Sequence, residues 1–210
     1  MAALRDRIGR AGGDPERVTI VAVTKGHGPE VCRAAVGAGL TRLGENRAQE
    51  LLAKSAEVAG AEWHFVGRLQ TNKVRALAPV VALWESVDRR PVIDELARRA
   101  PGARILVQVN ISGEDAKGGC PPERTAGLVH AARDAGLEVR GLMGIGPIGP
   151  PEAARPGFRL LTALADELGL AERSMGMTAD LEVAIEEGST MIRVGTGLFG
   201  PRQGAQDPPD

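Results

Sequence analysis

The sequence predicts an α/β fold, a single-domain (β/α)8 barrel of the TIM type. Short apolar runs rich in β-branched residues alternate with longer helical patterns, which is typical of parallel strands joined by helical crossovers. Eight such strands are predicted within 210 residues, and eight units in a chain of this length favour a closed barrel over an open sheet. No GxGxxG follows the first strand, which weakens the dinucleotide-binding version of an open sheet.

The first strand is the clearest element. The run VTIVAVT at 18–24 is almost wholly apolar or β-branched, as in a strand buried on both faces. A helix over 29–38 follows, because Pro29 suits a helix start and Gly39 lies just past its end. The other strands are predicted at 40–43, 63–66, 81–86, 105–110, 139–145, 174–177 and 191–194, of which 174–177 is short and ambiguous.

The other helices are amphipathic or carry helix-start signals. They are predicted at 46–58, 71–77, 90–100, 122–135, 152–168 and 179–187. We place the barrel domain at residues 1–203 and a disordered tail at 204–210, where GAQDPPD is polar and proline-rich.

Composition restricts the function classes. With 26 basic and 27 acidic residues the net charge is -1, so no overall field favours a nucleic acid or an anionic membrane as partner. The N-terminus lacks the apolar segment of a secretory signal, and no run approaches the roughly 18 apolar residues of a membrane span. We therefore expect a cytoplasmic protein. The three histidines have no metal-ligand spacing, so we predict no metal site.

Candidate functional residues lie at the carboxyl ends of the strands, where barrels place their active sites. Lys25 directly follows the buried first strand, where desolvation would lower the pKa of its amine and favour a Schiff base. The alternative is a solvated lysine at the end of a strand. Only four of the 26 basic residues are lysines, so an indifferent basic position would more often hold arginine.

Two glycine-containing segments follow the last two strands, where barrels often bind phosphate. Gly176 and Gly195 would let the backbone approach an anion, and the hydroxyls of Ser174 and Thr196 could donate to it. Arg193 is predicted to point into the barrel mouth, with a salt-bridged structural arginine as the alternative. A Schiff-base lysine with a phosphate site leaves two chemistries open. These are a class I aldolase and a protein that holds pyridoxal 5′-phosphate (PLP).

A set of short motifs runs in a fixed order along the chain. The motifs are AVTK at 22–25, GEN at 44–46 with QE at 49–50, WHFVG at 63–67 with LQTNK at 69–73, QVNIS at 108–112 with Lys117, GLM at 141–143, SMGM at 174–177 and RVGT at 193–196 with FG at 199–200. Together they resemble the YggS/PROSC family of PLP homeostasis proteins over residues 17–202. The ordered set is far more specific than any single motif.

The resemblance implies a barrel similar to the N-terminal domain of alanine racemase. It also implies that this barrel binds PLP and takes part in PLP (vitamin B6) homeostasis. The implied cofactor contacts are Lys25 as the Schiff base, Asn46 beside the cofactor, Ser174, Gly176, Gly195 and Thr196 at the phosphate, and Arg193 facing the pyridine nitrogen. Lys117 matches a family lysine near the site. Arg47 stands where the family often has tyrosine, so an aromatic contact at that place is in doubt.

Two features argue against catalysis. The chain has no tyrosine, so the base that a two-base racemase uses is missing. An arginine at the pyridine nitrogen keeps the ring unprotonated and makes it a weaker electron sink. We therefore expect a monomeric carrier that supplies PLP to apo-enzymes. The alternatives are a low-activity PLP-dependent racemase or lyase, and the aldolase-like barrel enzyme.

Overall fold

The computed structural model describes residues 1–200 and shows a closed barrel of eight parallel strands in the order β1 to β8. The strands are β1 (Thr19–Val23), β2 (Arg42–Glu45), β3 (Glu62–Phe65), β4 (Val81–Val87), β5 (Arg104–Val109), β6 (Glu138–Gly144), β7 (Glu172–Ser174) and β8 (Met191–Val194). The helices are α1 (Ala2–Arg10), α2 (Pro29–Gly37), α3 (Ala48–Glu57), α4 (Thr71–Leu77), α5 (Arg90–Arg99), α6 (Thr125–Asp134), α7 (Arg155–Glu167), α8 (Leu181–Glu186) and α9 (Thr196–Phe199). The predicted barrel is confirmed, and the predicted tail at 204–210 lies outside the described residues.

The strands bury side chains on both faces. The main core lies between the outer face of the barrel and the helices, and it includes Trp63, Phe65 and Trp84. A smaller cluster fills the barrel interior with one residue from each of five strands. Its members are Val21, Leu83, Leu106, Met143 and Met191. The buried polar side chains of His64, Glu85, Ser174 and Arg193 lie on the strands as well.

The helices bury one face each. The longest of those described, α7, has 13 residues and buries Phe158, Leu161 and Ala165. Helix α5 buries Val92 and Ile93 in the same way while its arginines face outward. Among residues 1–200, no helix combines the length and the apolar character needed to cross a bilayer.

Most element boundaries agree with the sequence prediction to within a few residues, but five elements differ. Strand β2 lies two residues later than predicted, because it continues through Gly44 to the buried Glu45. The predicted helices at 122–135 and 152–168 each begin with a 3-10 turn, at Pro122–Arg124 and Pro151–Ala154. Helices α1 and α9 were not predicted at all, since neither short segment has a convincing apolar period.

Only the first residue of the ambiguous segment at 174–177 belongs to a strand, and the rest leads into the turn at 178–180. Strand β7 ends at Ser174, and Gly176 follows with a φ of +94°, a conformation that favours glycine. A Cβ at Gly176 would lie 2.5 Å from the Cβ of Ala184, so α8 packs directly against this turn. The position therefore requires glycine for backbone conformation and for space.

Candidate functional site

The carboxyl ends of the strands form one edge of the barrel, called the rim below. Strand β1 pairs with β2 so that Val23 lies opposite Gly44. Lys25 and Asn46 each follow two residues beyond that pair and therefore lie side by side at the rim. The next loop approaches Asn46 closely, since a Cβ at Gly67 would lie 2.1 Å from the Asn46 carbonyl oxygen.

The other side of Lys25 faces the end of β8. Strand β1 pairs with β8 with Ala22 opposite Val194, which places Gly195 beside Val23. A Cβ at Gly195 would lie 3.0 Å from the Val23 carbonyl oxygen, so the two backbones touch there. The structure thus brings Lys25 between Asn46 and the Gly195–Thr196 turn.

The turns after β7 and β8 contact each other. The Thr178 Oγ1 atom accepts a hydrogen bond from the Gly197 N–H at 3.1 Å. A Cβ at Gly197 would lie 3.0 Å from Thr178, so that glycine permits the close approach. Sequence reasoning overlooked Thr178, although it supplies a second hydroxyl in the same turn as Gly176. The paired turns form one glycine-containing surface beside Lys25.

Arg193 lies inside the barrel just below the rim and is only 5% exposed. Its Nη1 group donates to the Ser174 carbonyl oxygen at 2.8 Å and to Ser174 Oγ at 2.7 Å, and its Nη2 group donates to the Gly144 carbonyl oxygen at 2.8 Å. The Ser174 hydroxyl in turn donates to Glu85 Oε2 at 2.6 Å. Because its single hydrogen is engaged there, this arrangement does not support the predicted donation from Ser174 to a phosphate.

Glu85 supplies the counter-charge that sequence reasoning overlooked. It is fully buried on β4, its Oε1 atom lies 2.6 Å from His64 Nδ1, and its Oε2 atom lies 4.0 Å from Arg193 Nη1. Burial raises the pKa of Glu85, but His64, Arg193 and Ser174 together outweigh it and hold the pKa below its usual range. Burial also lowers the pKa of Arg193, although Glu85 and Asp180 oppose that shift. The barrel therefore holds a carboxylate beside a guanidinium below the rim.

Two further residues singled out in the sequence lie near the rim. Lys117 follows β5, on the far side of the barrel from Lys25, and its Nζ donates to the Gly146 carbonyl oxygen at 2.6 Å and to Glu114 Oε1 at 2.8 Å. Arg47 is half exposed, and its Nη1 lies 3.9 Å from Glu50 Oε1. Lys117 is therefore tied to the loop after β6 and Arg47 to its own helix.

These residues suit a ligand that carries three different functional groups. The Lys25 amine can condense with an aldehyde, and the glycine-containing turns let an anion reach backbone N–H and hydroxyl groups. The Arg193 guanidinium donates hydrogen bonds and never accepts them, so it suits an aromatic nitrogen with a free lone pair. PLP carries all three of these groups. Among residues 1–200, no cluster of His, Cys, Asp or Glu is arranged to hold a metal ion.

Comparison with known proteins points the same way. The sequence matches the family described as alanine racemase, N-terminal domain, over residues 2–203. It is 43% identical to the pyridoxal phosphate homeostasis protein of Aquifex aeolicus, across 92% of this chain and 91% of that protein. It is 42% identical to the protein of the same name from Pseudomonas aeruginosa, across 96% and 92%. The solved structure of PipY from Synechococcus elongatus PCC7942 with PLP bound has a TM-score of 0.81 at 31% identity, across 93% of this chain and 99% of that one.

The buried charges predict a large cost for removing the Glu85 carboxylate. Glu85→Gln leaves the buried Arg193 guanidinium without the larger of its two counter-charges, so we expect the free energy of unfolding to fall by about 3 kcal/mol. Urea unfolding at pH 7 measures it. Glu62→Gln, at a half-exposed position on the neighbouring β3, should change stability by less than about 0.5 kcal/mol. Equal effects of the two substitutions would contradict the assigned role of Glu85.

The difference in unfolding free energy between wild type and Glu85→Gln should depend on pH. Since the pKa of Glu85 is lowered on folding, its contribution to stability is present above its unfolded value of about 4.3 and is lost as the pH falls below it. The gap in unfolding free energy between wild type and Glu85→Gln should therefore narrow as the pH falls below about 4.

Proposed function

We propose that this chain, which belongs to the family of the alanine racemase N-terminal domain and of the pyridoxal phosphate homeostasis proteins, holds PLP as a Schiff base on Lys25 and supplies it to cytoplasmic apo-enzymes. One observation carries the proposal. Lys25 lies between Asn46 and the Gly195–Thr196 turn, next to the strand that carries the buried Arg193. An amine, an anion-binding turn and a buried donor thus meet on adjacent strands.

When bound, PLP supplies an aldehyde that condenses with an amine and a pyridine ring that withdraws electrons. Lys25 would provide the amine, and Asn46 would line the side toward β2. The Gly176 and Gly195 backbones, with the backbone and hydroxyl of Thr196, would hold the phosphate. Arg193 would face the pyridine nitrogen and, because it cannot accept a hydrogen bond, would disfavour protonation there.

The same residues support a carrier in preference to an efficient enzyme. The chain contains no tyrosine, the residue that would abstract a proton on the second face of a bound amino acid. A pyridine ring whose nitrogen stays unprotonated beside Arg193 would withdraw electrons only weakly. We infer that the site binds and releases the cofactor without turning over common amino acids.

The first prediction of the proposed function concerns the residue to which PLP attaches. Borohydride reduction of the PLP-loaded protein should add one pyridoxyl phosphate group to the peptide that contains Lys25, as measured by mass spectrometry. Lys25→Arg keeps the positive charge but cannot form the Schiff base, so it should lose both the label and the visible absorbance. A label on Lys54, Lys73 or Lys117 of the wild type would refute the assignment.

The second prediction concerns the phosphate. PLP should bind at least about tenfold more tightly than pyridoxal, because each hydrogen bond to a charged group contributes about 1.5–3 kcal/mol. Thr196→Val should reduce this preference, and equal affinities in the wild type would exclude a phosphate site. Ser174→Ala separates two roles. If the variant binds PLP and pyridoxal more weakly by the same factor, Ser174 acts through Arg193. If only the affinity for PLP falls, Ser174 contacts the phosphate directly.

The third prediction concerns turnover. The PLP-loaded protein should restore activity to an apo PLP-dependent enzyme on incubation, and it should not racemise, decarboxylate or transaminate L-alanine, L-serine or L-lysine. Proton exchange at the α-carbon and chirality, both followed by NMR, measure the reaction. Turnover near 1 s⁻¹, at the low end for enzymes, would favour a PLP-dependent racemase or lyase instead.

A further inference from the structure

A charged cluster, buried except for the partly exposed Glu50, lies behind Lys25, between β1, β2 and α3, on the side away from the barrel interior. Its members are Thr24, Glu45, Glu50 and Lys54. The Lys54 side chain is only 6% exposed, although lysine is almost never fully buried unless it is paired. None of these groups belongs to the proposed cofactor contacts, so the cluster needs its own explanation.

The cluster holds both peptide groups of Lys25. Lys54 Nζ donates to the carbonyl oxygen of Thr24 at 2.9 Å, and Glu50 Oε2 accepts from the N–H of Gly26 at 3.0 Å. Thr24 and Gly26 are the residues immediately before and after Lys25. Lys54 Nζ also lies 3.2 Å from Glu50 Oε2. One ion pair on α3 therefore ties down the backbone on either side of the reactive lysine.

Glu45 anchors this ion pair from β2. Its Oε1 atom accepts from Lys54 Nζ at 2.6 Å and from Thr24 Oγ1 at 2.6 Å. Burial raises the pKa of Glu45 despite these two bonds. Burial lowers the pKa of Lys54, but Glu45 and Glu50 outweigh it and raise the pKa above its usual value. Lys54 therefore stays an ammonium, with all three of its donors used by Glu45, Glu50 and the Thr24 carbonyl.

A core position does not require such a group for stability. Taking an ion pair out of water carries a large desolvation cost, and well-packed apolar residues in its place are often as stable or more so. An apolar residue at position 54 could not, however, hold the carbonyl oxygen of Thr24. The use of a buried ammonium at this place is explained by what it holds, which is the backbone at Lys25.

We propose that Lys54 and Glu50 form a clamp that fixes the backbone of Lys25 and thereby aims its amine at the aldehyde carbon of PLP. The inference rests on the proposed function. In the step that the clamp assists, the Lys25 amine adds to the aldehyde and one water molecule leaves as the imine forms. Lys54 and Glu50 are positioning residues, because they act through the Thr24 and Gly26 peptide groups.

The test separates reaction at Lys25 from binding of the ring and phosphate. Lys54→Met removes the ammonium at similar length, and Glu50→Ala removes the acceptor for the Gly26 N–H at a partly exposed position that should still fold. Both should slow the appearance of the Schiff-base absorbance in stopped flow by about tenfold to a hundredfold, as expected for a misplaced reacting group. Affinity for pyridoxine 5′-phosphate, which has an alcohol in place of the aldehyde, should stay within about twofold of wild type.

Two control variants make the comparison specific. Glu50→Gln keeps an oxygen that accepts from Gly26, so it should react within about threefold of the wild-type rate. Glu57→Ala, at an exposed end of the same helix, should behave as wild type.

Three outcomes would overturn the clamp. These are wild-type rates in both Lys54→Met and Glu50→Ala, equal losses for PLP and pyridoxine 5′-phosphate, or a Glu50→Gln variant as slow as Glu50→Ala. A wild type that binds pyridoxine 5′-phosphate but forms no Schiff base would refute the proposed function, and the clamp with it. A wild type that reacts while the clamp variants react equally well refutes the clamp alone.

Discussion

The pairing of β8 with β1 closes the sheet, and the candidate site depends on it. Four register pairs, from Thr19 opposite Met191 to Ala22 opposite Val194, hold this seam. Because the strands are parallel, closure brings the residues after β8 next to those after β1 at the same rim. Lys25 meets the Gly195–Thr196 turn only across this seam, and an open sheet of the same strands would hold them apart.

The barrel and its helices also enclose charged groups in two places. In the barrel interior Glu85 lies beside Arg193, and behind β1 Glu45 and Glu50 surround Lys54. Both groups carry desolvation costs that an apolar core would avoid. Both also contact the rim directly, one through the Ser174 hydroxyl and the other through the peptide groups beside Lys25. The desolvation cost therefore falls on charged groups that hold the Ser174 hydroxyl and the backbone beside Lys25 in one position.

Apolar runs and helix-start signals were enough to predict the barrel, and strand order placed Lys25, Arg193 and the glycine-containing segments at its carboxyl end. The prediction of β2 stopped at Leu43 because glycine and glutamate disfavour strands, yet Glu45 is accommodated by Lys54 and Thr24. The burial of Lys54 and of Glu85 could not be predicted from the sequence for a similar reason. A charged residue in a helix or strand looks solvated until the fold supplies partners from distant segments.

Under the proposed function, the contacts of the ionisable groups favour holding the cofactor over transforming it. His64 Nδ1 is directed at Glu85 within the barrel, and the Lys117 ammonium is bonded to Glu114 and the Gly146 carbonyl. Proton transfer needs a group at hydrogen-bond distance from the reacting atom, with a pKa near the working pH. The contacts of His64 and Lys117 instead fix the positions of other groups in the chain. Under the proposed function, the Lys25 amine would supply the reactive group, and its reversible condensation with an aldehyde would account for both capture and release of the cofactor.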